Sequence, residues 1–242
     1  MATHSIDDVL APTGKLRVGI NYGNAVLATR DPASGEPRGV APDLARELGK
    51  RMEVPIEFVT FEAAGKMVEA IKSGAWDIAF LAIDPVRAGE IDYTSPYIEI
   101  DGTYLVPAGA SYASPADVDR AGVRIGVSAN SAYDLFLSRA LKHAELVRAG
   151  SPDSSFELLA TGAADVLAGV RQHLAANTKR FSGSRVLDEP FMTIRQALGV
   201  AKGRGDSVKF LREFIEDAKT SGLVARSLAR SGVTGVSIAP KA

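Results

Sequence analysis

Short apolar runs alternate along this chain with stretches whose apolar residues recur at helical spacing. Leu16-Arg17-Val18-Gly19-Ile20 reads as a strand. Residues 42–52 read as a helix: Pro42 suits the first turn, Asp43 complements the helix dipole, and Leu44, Leu48 and Met52 fall on one face. Residues 56–60 form the next strand. Residues 63–73 form a helix with Met67, Val68 and Ile71 together, closed by Gly74. Asp77 to Ile83 is a continuous apolar run, the pattern of a strand buried on both faces of a parallel sheet. This β-α-β-α-β order predicts an α/β domain with a right-handed parallel core.

A second unit of the same kind follows. Strands are expected at 123–127, 145–147 and 165–170, with helices at 131–142, 156–160 and 171–177. Residues 196–201 read as a returning strand. Residues 206–220 and 222–231 read as two amphipathic helices divided by Ser221-Gly222, and the tail from Gly232 as irregular. The halves share a rhythm. Gly-Ala-Trp-Asp-Ile-Ala-Phe at 74–80 is echoed by Gly-Ala-Ala-Asp-Val-Leu-Ala at 162–168, each Asp opening a buried strand after a helix. Two similar lobes are expected, with a ligand site in the cleft between them.

Composition narrows the chemistry. Of 242 residues, 46% are hydrophobic, enough for a packed core rather than a disordered chain. With 28 Lys+Arg against 29 Asp+Glu, no broad basic footprint for nucleic acid exists. The absence of cysteine excludes disulfides, thiolate metal sites and Cys nucleophiles. His4, His143 and His173 show no metal-ligand spacing. Neither a metal nor another cofactor is expected. No run approaches the ~18 apolar residues of a membrane span. The N-terminal residues lack a basic segment followed by about 7–15 apolar residues, so either a cytoplasmic protein or one shorn of its signal is expected.

Several motifs, in order over residues 14–232, resemble one family. Gly14-Lys15-Leu16-Arg17-Val18-Gly19 is similar to its opening strand, and Gly39-Val40-Ala41-Pro42-Asp43-Leu44 to its Gly-Phe-Asp-x-Asp-Leu helix start. Lys72-Ser73-Gly74-Ala75-Trp76-Asp77 resembles its Gly-Lys-x-Asp turn. Arg87 followed by Ile91-Asp92-Tyr93-Thr94-Ser95-Pro96-Tyr97 resembles its Arg…Phe-Ser-x-Pro-Tyr signature. Gly126-Val127-Ser128-Ala129-Asn130-Ser131 stands where it has Gly-Val-x-x-Gly-Ser/Thr, and Ser221-Gly222-Leu223-Val224 resembles its tail helix. The family is the type II periplasmic binding proteins, in the branch of polar amino-acid receptors of ABC transporters (solute-binding family 3). The resemblance implies two α/β lobes, 1–100 plus 196–242 and 101–195. Each would be a mostly parallel sheet flanked by helices, joined by a two-segment hinge near Ile98–Thr103 and Met192–Arg195. It further implies a monomeric periplasmic receptor that closes on a small solute and presents it to a membrane permease.

Each candidate site residue has a plainer reading beside it. Arg87, beyond Asp84-Pro85, presents a fork that matches a carboxylate, and the family uses the matching Arg in that way; the alternative is a surface pair with Glu90 or Asp92. Asn130, Ser131 and Ala132 stand at a helix start, an anion site or simply a capped end. Phe80, Ala82 and Ile83 occupy the carboxyl end of a buried strand, where open α/β sheets place ligands, though Phe80 equally suits the core. Asn21 and Asn24 could hydrogen-bond a solute or shape a turn. In the family, hydroxyl residues usually stand near Phe80 and Ala82, and aromatic platforms at Asn24 and Ala64. Val170 stands near the family's ammonium-binding Asp, and Arg171 reads as a solvated helix residue. The expected partner is therefore a small solute with a carboxylate or other anionic group and no α-ammonium, unless Glu62 or Asp84 supplies an acceptor.

Two rival readings stand beside the receptor. One is an enzyme on the same scaffold, resembling cyclohexadienyl and arogenate dehydratases, with Glu62, Asp84 or Glu99 as a buried general acid. The other is a cytoplasmic ligand sensor. Gly199 to Gly205 does not match a phosphate-binding loop.

Overall fold

A computed structural model describes residues 6–205 and 207–242, without the side chains of residues 7 and 8. His4 and position 206, the expected first residue of a helix, lie outside the described residues. In chain order the elements open with α1 (Ile6–Leu10), β1 (Leu16–Asn21), β2 (Thr29–Arg30), β3 (Pro37–Arg38), α2 (Val40–Arg51), β4 (Ile56–Phe61), α3 (Ala64–Glu69) and β5 (Ile78–Ala82). Then come β6 (Ile91–Tyr93), β7 (Ile98–Val106), α4 (Pro115–Val118), β8 (Arg124–Ser128), α5 (Ala132–Ala140), β9 (Glu145–Ala149), α6 (Pro152–Ala160) and β10 (Val166–Val170). The chain closes with α7 (Arg171–Asn177), β11 (Arg185–Val186), β12 (Met192–Ala201), α8 (Ser207–Thr220), α9 (Leu223–Arg230) and β13 (Ser237–Ile238). Two compact units result: residues 1–62, 66–99 and 195–242, and residues 63–65 with 100–194.

In the first unit β4, β1 and β5 pair in parallel, and β12 returns antiparallel beside β5. Period-two alternation divides the strand faces. Ala79 and Leu81 join Met67, Trp76, Ile91, Tyr93 and Ala197 in one cluster. α2 buries Val40, Leu44 and Leu48, while α8 buries Leu211, Phe214 and Ile215, so the apolar stripes read from the sequence are the inward faces. Gly39 opens α2 at φ 124°, and a Cβ there would meet the Leu27 carbonyl oxygen at 2.6 Å, so only glycine fits.

The second unit repeats the plan. β9, β8 and β10 are parallel, and β7 pairs antiparallel with β10. Leu105, Phe156, Ala164, Leu167 and Leu174 form its core cluster.

The echoed aspartates explain the repeat. Asp77, fully buried, accepts from the Arg17 backbone N–H (2.9 Å), Nε (3.0 Å) and an η nitrogen (2.8 Å). Asp165 accepts from the backbone N–H, Nε and an η nitrogen of Arg124 at 2.8, 3.1 and 2.7 Å. Each carboxylate clamps the amino end of its unit's central strand through an arginine fork. Two residues on, Gly19 and Gly126 lie where a Cβ would press on neighbouring side chains, including Met67 and Trp76 in one unit and Leu158 and Leu167 in the other.

Several expected boundaries move. The helix expected from Phe156 begins at Pro152, because Ser151 and Ser154 form a capping box. The two expected crossing segments are the ends of long strands, β7 and β12. The tail holds the two-residue β13, paired with β7.

Candidate functional site

Because β1, β4 and β5 are parallel, their carboxyl ends share one edge of the first unit, the edge at which open α/β sheets place ligands. Asn21 ends β1 and Asn24 follows it, and both are buried. The Asn21 side-chain oxygen accepts from Gly23 N–H at 2.9 Å, and that of Asn24 from Val26 N–H at 3.2 Å. The turn-forming alternative therefore holds for both carboxamide oxygens. Phe80 is buried, its ring edge-on to Tyr97 at 5.8 Å, which is core packing. Ala82 ends β5, and Ile83 is partly exposed just beyond it.

Arg87 is 4% exposed, not a surface residue, so the alternative of a surface pair with Glu90 or Asp92 does not hold. An η nitrogen donates to the Ala82 carbonyl at 3.2 Å, folding the guanidinium back onto the end of β5. Asp84, also buried, receives the Val86 N–H at 2.8 Å and acts electrostatically on Arg87. Burial pulls the Arg87 pKa down, against the electrostatic effects of Tyr93 and Asp84. Burial likewise holds the Tyr93 hydroxyl well above the usual phenol range. The edge thus carries one buried cation and one buried anion. Glu62 instead pairs in solvent with Arg30 at 2.9 Å, and Glu99 lies 3.6 Å from Arg195.

In the second unit, β8 ends at Ser128 and Asn130 adopts φ 56°, a left-handed turn that Asn tolerates. Ser131 caps α5, its hydroxyl accepting from Asp134 N–H at 3.1 Å, while Asp134 accepts from Asn130 N–H at 2.7 Å. The capping reading therefore holds for Ser131, and the Asp134 charge is offset by Arg148 Nε at 3.0 Å. Ala132 opens the helix in a buried position beside Tyr133. Burial pushes the Tyr133 hydroxyl up to about 12, against hydrogen bonds to Ser131 and Ser128. Val170 is buried at the carboxyl end of β10. Arg171 is not solvated as expected: it donates to Asp101 at 2.9 Å and to the carbonyls of Leu187 and Asp188 at 3.0 and 2.7 Å.

The sequence reading missed Tyr97 and Gln196, two buried polar residues of the first unit. Gln196 left a signal: it is the single polar side chain opening an otherwise apolar strand segment, Gln196–Ala201. Among the described residues no group of three or more His, Cys, Asp or Glu could hold a metal ion. No described helix is long and apolar enough to cross a membrane.

Residues 16–231 match the family model of the bacterial extracellular solute-binding proteins, family 3. A probable histidine-binding protein of Neisseria gonorrhoeae is 25% identical over 241 residues, covering 93% of this chain and 88% of its own length. Among solved structures, a cysteine-binding protein from Campylobacter jejuni superposes with a TM-score of 0.80 at 20% identity, covering 97% of this chain and 99% of that one. The ancestral amino-acid-binding protein AncCDT-1, described as a precursor of cyclohexadienyl dehydratase, gives 0.76 at 22% identity, with coverage of 93% and 98%. Both share the α/β architecture described above.

Proposed function

We propose, from the fact that this chain belongs to the bacterial extracellular solute-binding proteins, family 3, that it is the solute receptor of an ABC-type transporter. In this reading it holds a small polar solute with a carboxylate at the carboxyl edge of the first unit and delivers it to a membrane permease. The observation that carries the reading is Arg87: a buried guanidinium just past the end of a buried parallel strand, at the edge where such sheets bind ligands. A guanidinium held there meets both oxygens of a carboxylate. Asn21, Asn24, Ala82 and Ile83 shape the surroundings. A closing motion belongs to the same proposal, read as a smaller radius of gyration on adding solute.

Asp84 changes the expected solute class. Its buried carboxylate beside Arg87 balances the cation, so a zwitterion bearing an ammonium is admitted along with a plain organic acid. The enzyme reading gains less support. Of its three candidate acids, Glu62 and Glu99 face arginines, and Asp84 is coupled to Arg87 rather than isolated in an apolar pocket.

A thermal-shift panel of amino acids and mono- and dicarboxylates tests the receptor. A solute at about 1,000 times its Kd adds about 4 kcal/mol of native stability, or about 10 °C for a chain of this size. A flat response across all carboxylate-bearing solutes would remove the reading.

A further inference from the structure

The two aspartates that clamp the units are not equally provided with cations. Asp77, fully buried, has a second cation besides Arg17: an η nitrogen of Arg204 lies 3.6 Å from its carboxylate. Asp165 has the matching fork from Arg124 but no second cation among the described residues, and its side chain is 34% exposed. The three Arg124 donors use Oδ2 twice and Oδ1 once. A carboxylate offers about four acceptor positions, so Oδ1 keeps room for one more donor.

Asp165 lines a cavity of about 630 Å³ built entirely within the second unit. One wall is the loop 107–112 that follows β7 and ends in Tyr112; Leu159, Ala164 and Phe181 form the others. Asp165 is the one charged side chain among the residues that line it. The walls are held in place. The Phe181 ring stacks on that of the core residue Phe156 at 6.1 Å, and Arg185 donates to the carbonyls of Ala110 and Tyr112 at 3.3 and 2.6 Å. Arg180, over the Phe181 ring, is paired with Glu157 at 3.4 Å. The cavity sits at the amino end of β10, about 16 Å along the strand from Val170 at its carboxyl end. It is therefore not at the edge where parallel sheets place their usual ligands.

We propose that this cavity is a second ligand site, for an organic ammonium with an apolar body, such as an arylalkylamine. The ammonium takes at Asp165 the role that Arg204 takes at Asp77, donating to the vacant position on Oδ1. The apolar body covers Leu159 and Ala164. The rings of Tyr112 and Phe181 add their attraction for a cation. The volume lies in the ~300–1,000 Å³ range of small-molecule sites. An anion would meet Asp165 with no cation on the walls to offset it.

The test is calorimetry on the full chain at neutral pH with three probes: 2-phenylethylamine, 2-phenylethanol and methylamine. The alcohol keeps the apolar body without the charge, and methylamine keeps the charge without the body. None carries a carboxylate, so none calls on Arg87. Wild type should bind 2-phenylethylamine saturably and at least tenfold more tightly than either of the others. Asp165→Asn removes the charge and should lose at least tenfold in affinity for the amine. Asp165 also clamps β8, so Tyr112→Ser provides a second variant outside the clamp, and it should weaken the amine severalfold. Equal affinity for amine and alcohol reduces the cavity to an unselective apolar crevice and overturns the proposal. No saturable binding of the amine overturns it, as does unchanged affinity in either variant.

Discussion

Replacing Arg87 by methionine keeps most of the side-chain volume and removes the charge. Asp84 then remains buried without the cation that offsets it. Stranding one member of a buried ion pair typically costs about 3–5 kcal/mol. Arg87 is too buried for solvent to screen much of that, and the hydrogen bond to the Ala82 carbonyl disappears as well. At about 2–4 °C per kcal/mol for a chain of this length, the melting temperature should fall by about 6–20 °C. The double variant Arg87→Met with Asp84→Asn removes both charges and should recover most of the loss, because replacing a buried pair is often near neutral. Trp76, the single tryptophan, is buried in the first unit and reports urea unfolding there. Solute affinity should fall by about 2–5 kcal/mol in both variants, since neither holds the carboxylate anchor. A wild-type urea midpoint for Arg87→Met, or a double variant that loses as much as the sum of its singles or more, would refute the coupling.

The paired clamps predict unequal costs. Asp77→Ala should lose about 3–5 kcal/mol in urea unfolding, because Asp77 is fully buried. Asp165→Ala should lose about 1–2 kcal/mol, because the Asp165 side chain is 34% exposed; equal losses would count against burial as the cause. The Arg124 hydrogen bond holds the Asp165 carboxyl below its ordinary range. A depressed folded pKa contributes stability above the unfolded carboxylate range, near 3.9, and loses it as pH falls through the folded value. Wild type and Asp165→Asn should therefore converge progressively as pH falls below the ordinary carboxylate range, and a gap constant from pH 7 to 2 would contradict this. Gly39→Ala should destabilise by more than the ~1 kcal/mol of an ordinary glycine change, as its Cβ meets the Leu27 carbonyl; an unchanged melt would contradict it.

The architecture was legible because buried parallel strands and amphipathic helices carry opposite periodicities. Ile78–Ala82 and the Leu44–Leu48 stripe needed no tertiary information. The long strands β7 and β12 were harder. Their pattern is interrupted by Asp101 and Arg195, whose partners, Arg171 and Glu99, are set by the fold rather than by neighbours in the chain. The clamps were half visible: the repeated Asp could be read, whereas its pairing with Arg17 and Arg124 joins residues 60 and 41 positions apart. At the candidate site the strand edge was readable, but burial was not. A sequence shows that Arg87 follows a strand; only packing shows that it is enclosed and shares its enclosure with Asp84. The same gap hid the burial of Tyr97 and Gln196.

The most direct measurement is native mass spectrometry of the isolated protein, followed by chemical identification of the released molecule and its return to the emptied chain. The account predicts a small carboxylate-bearing solute that rebinds, protects against unfolding, and is recovered unchanged after prolonged incubation. A chain that retains no such solute and rebinds none, or that returns a different molecule from the one supplied, would contradict it.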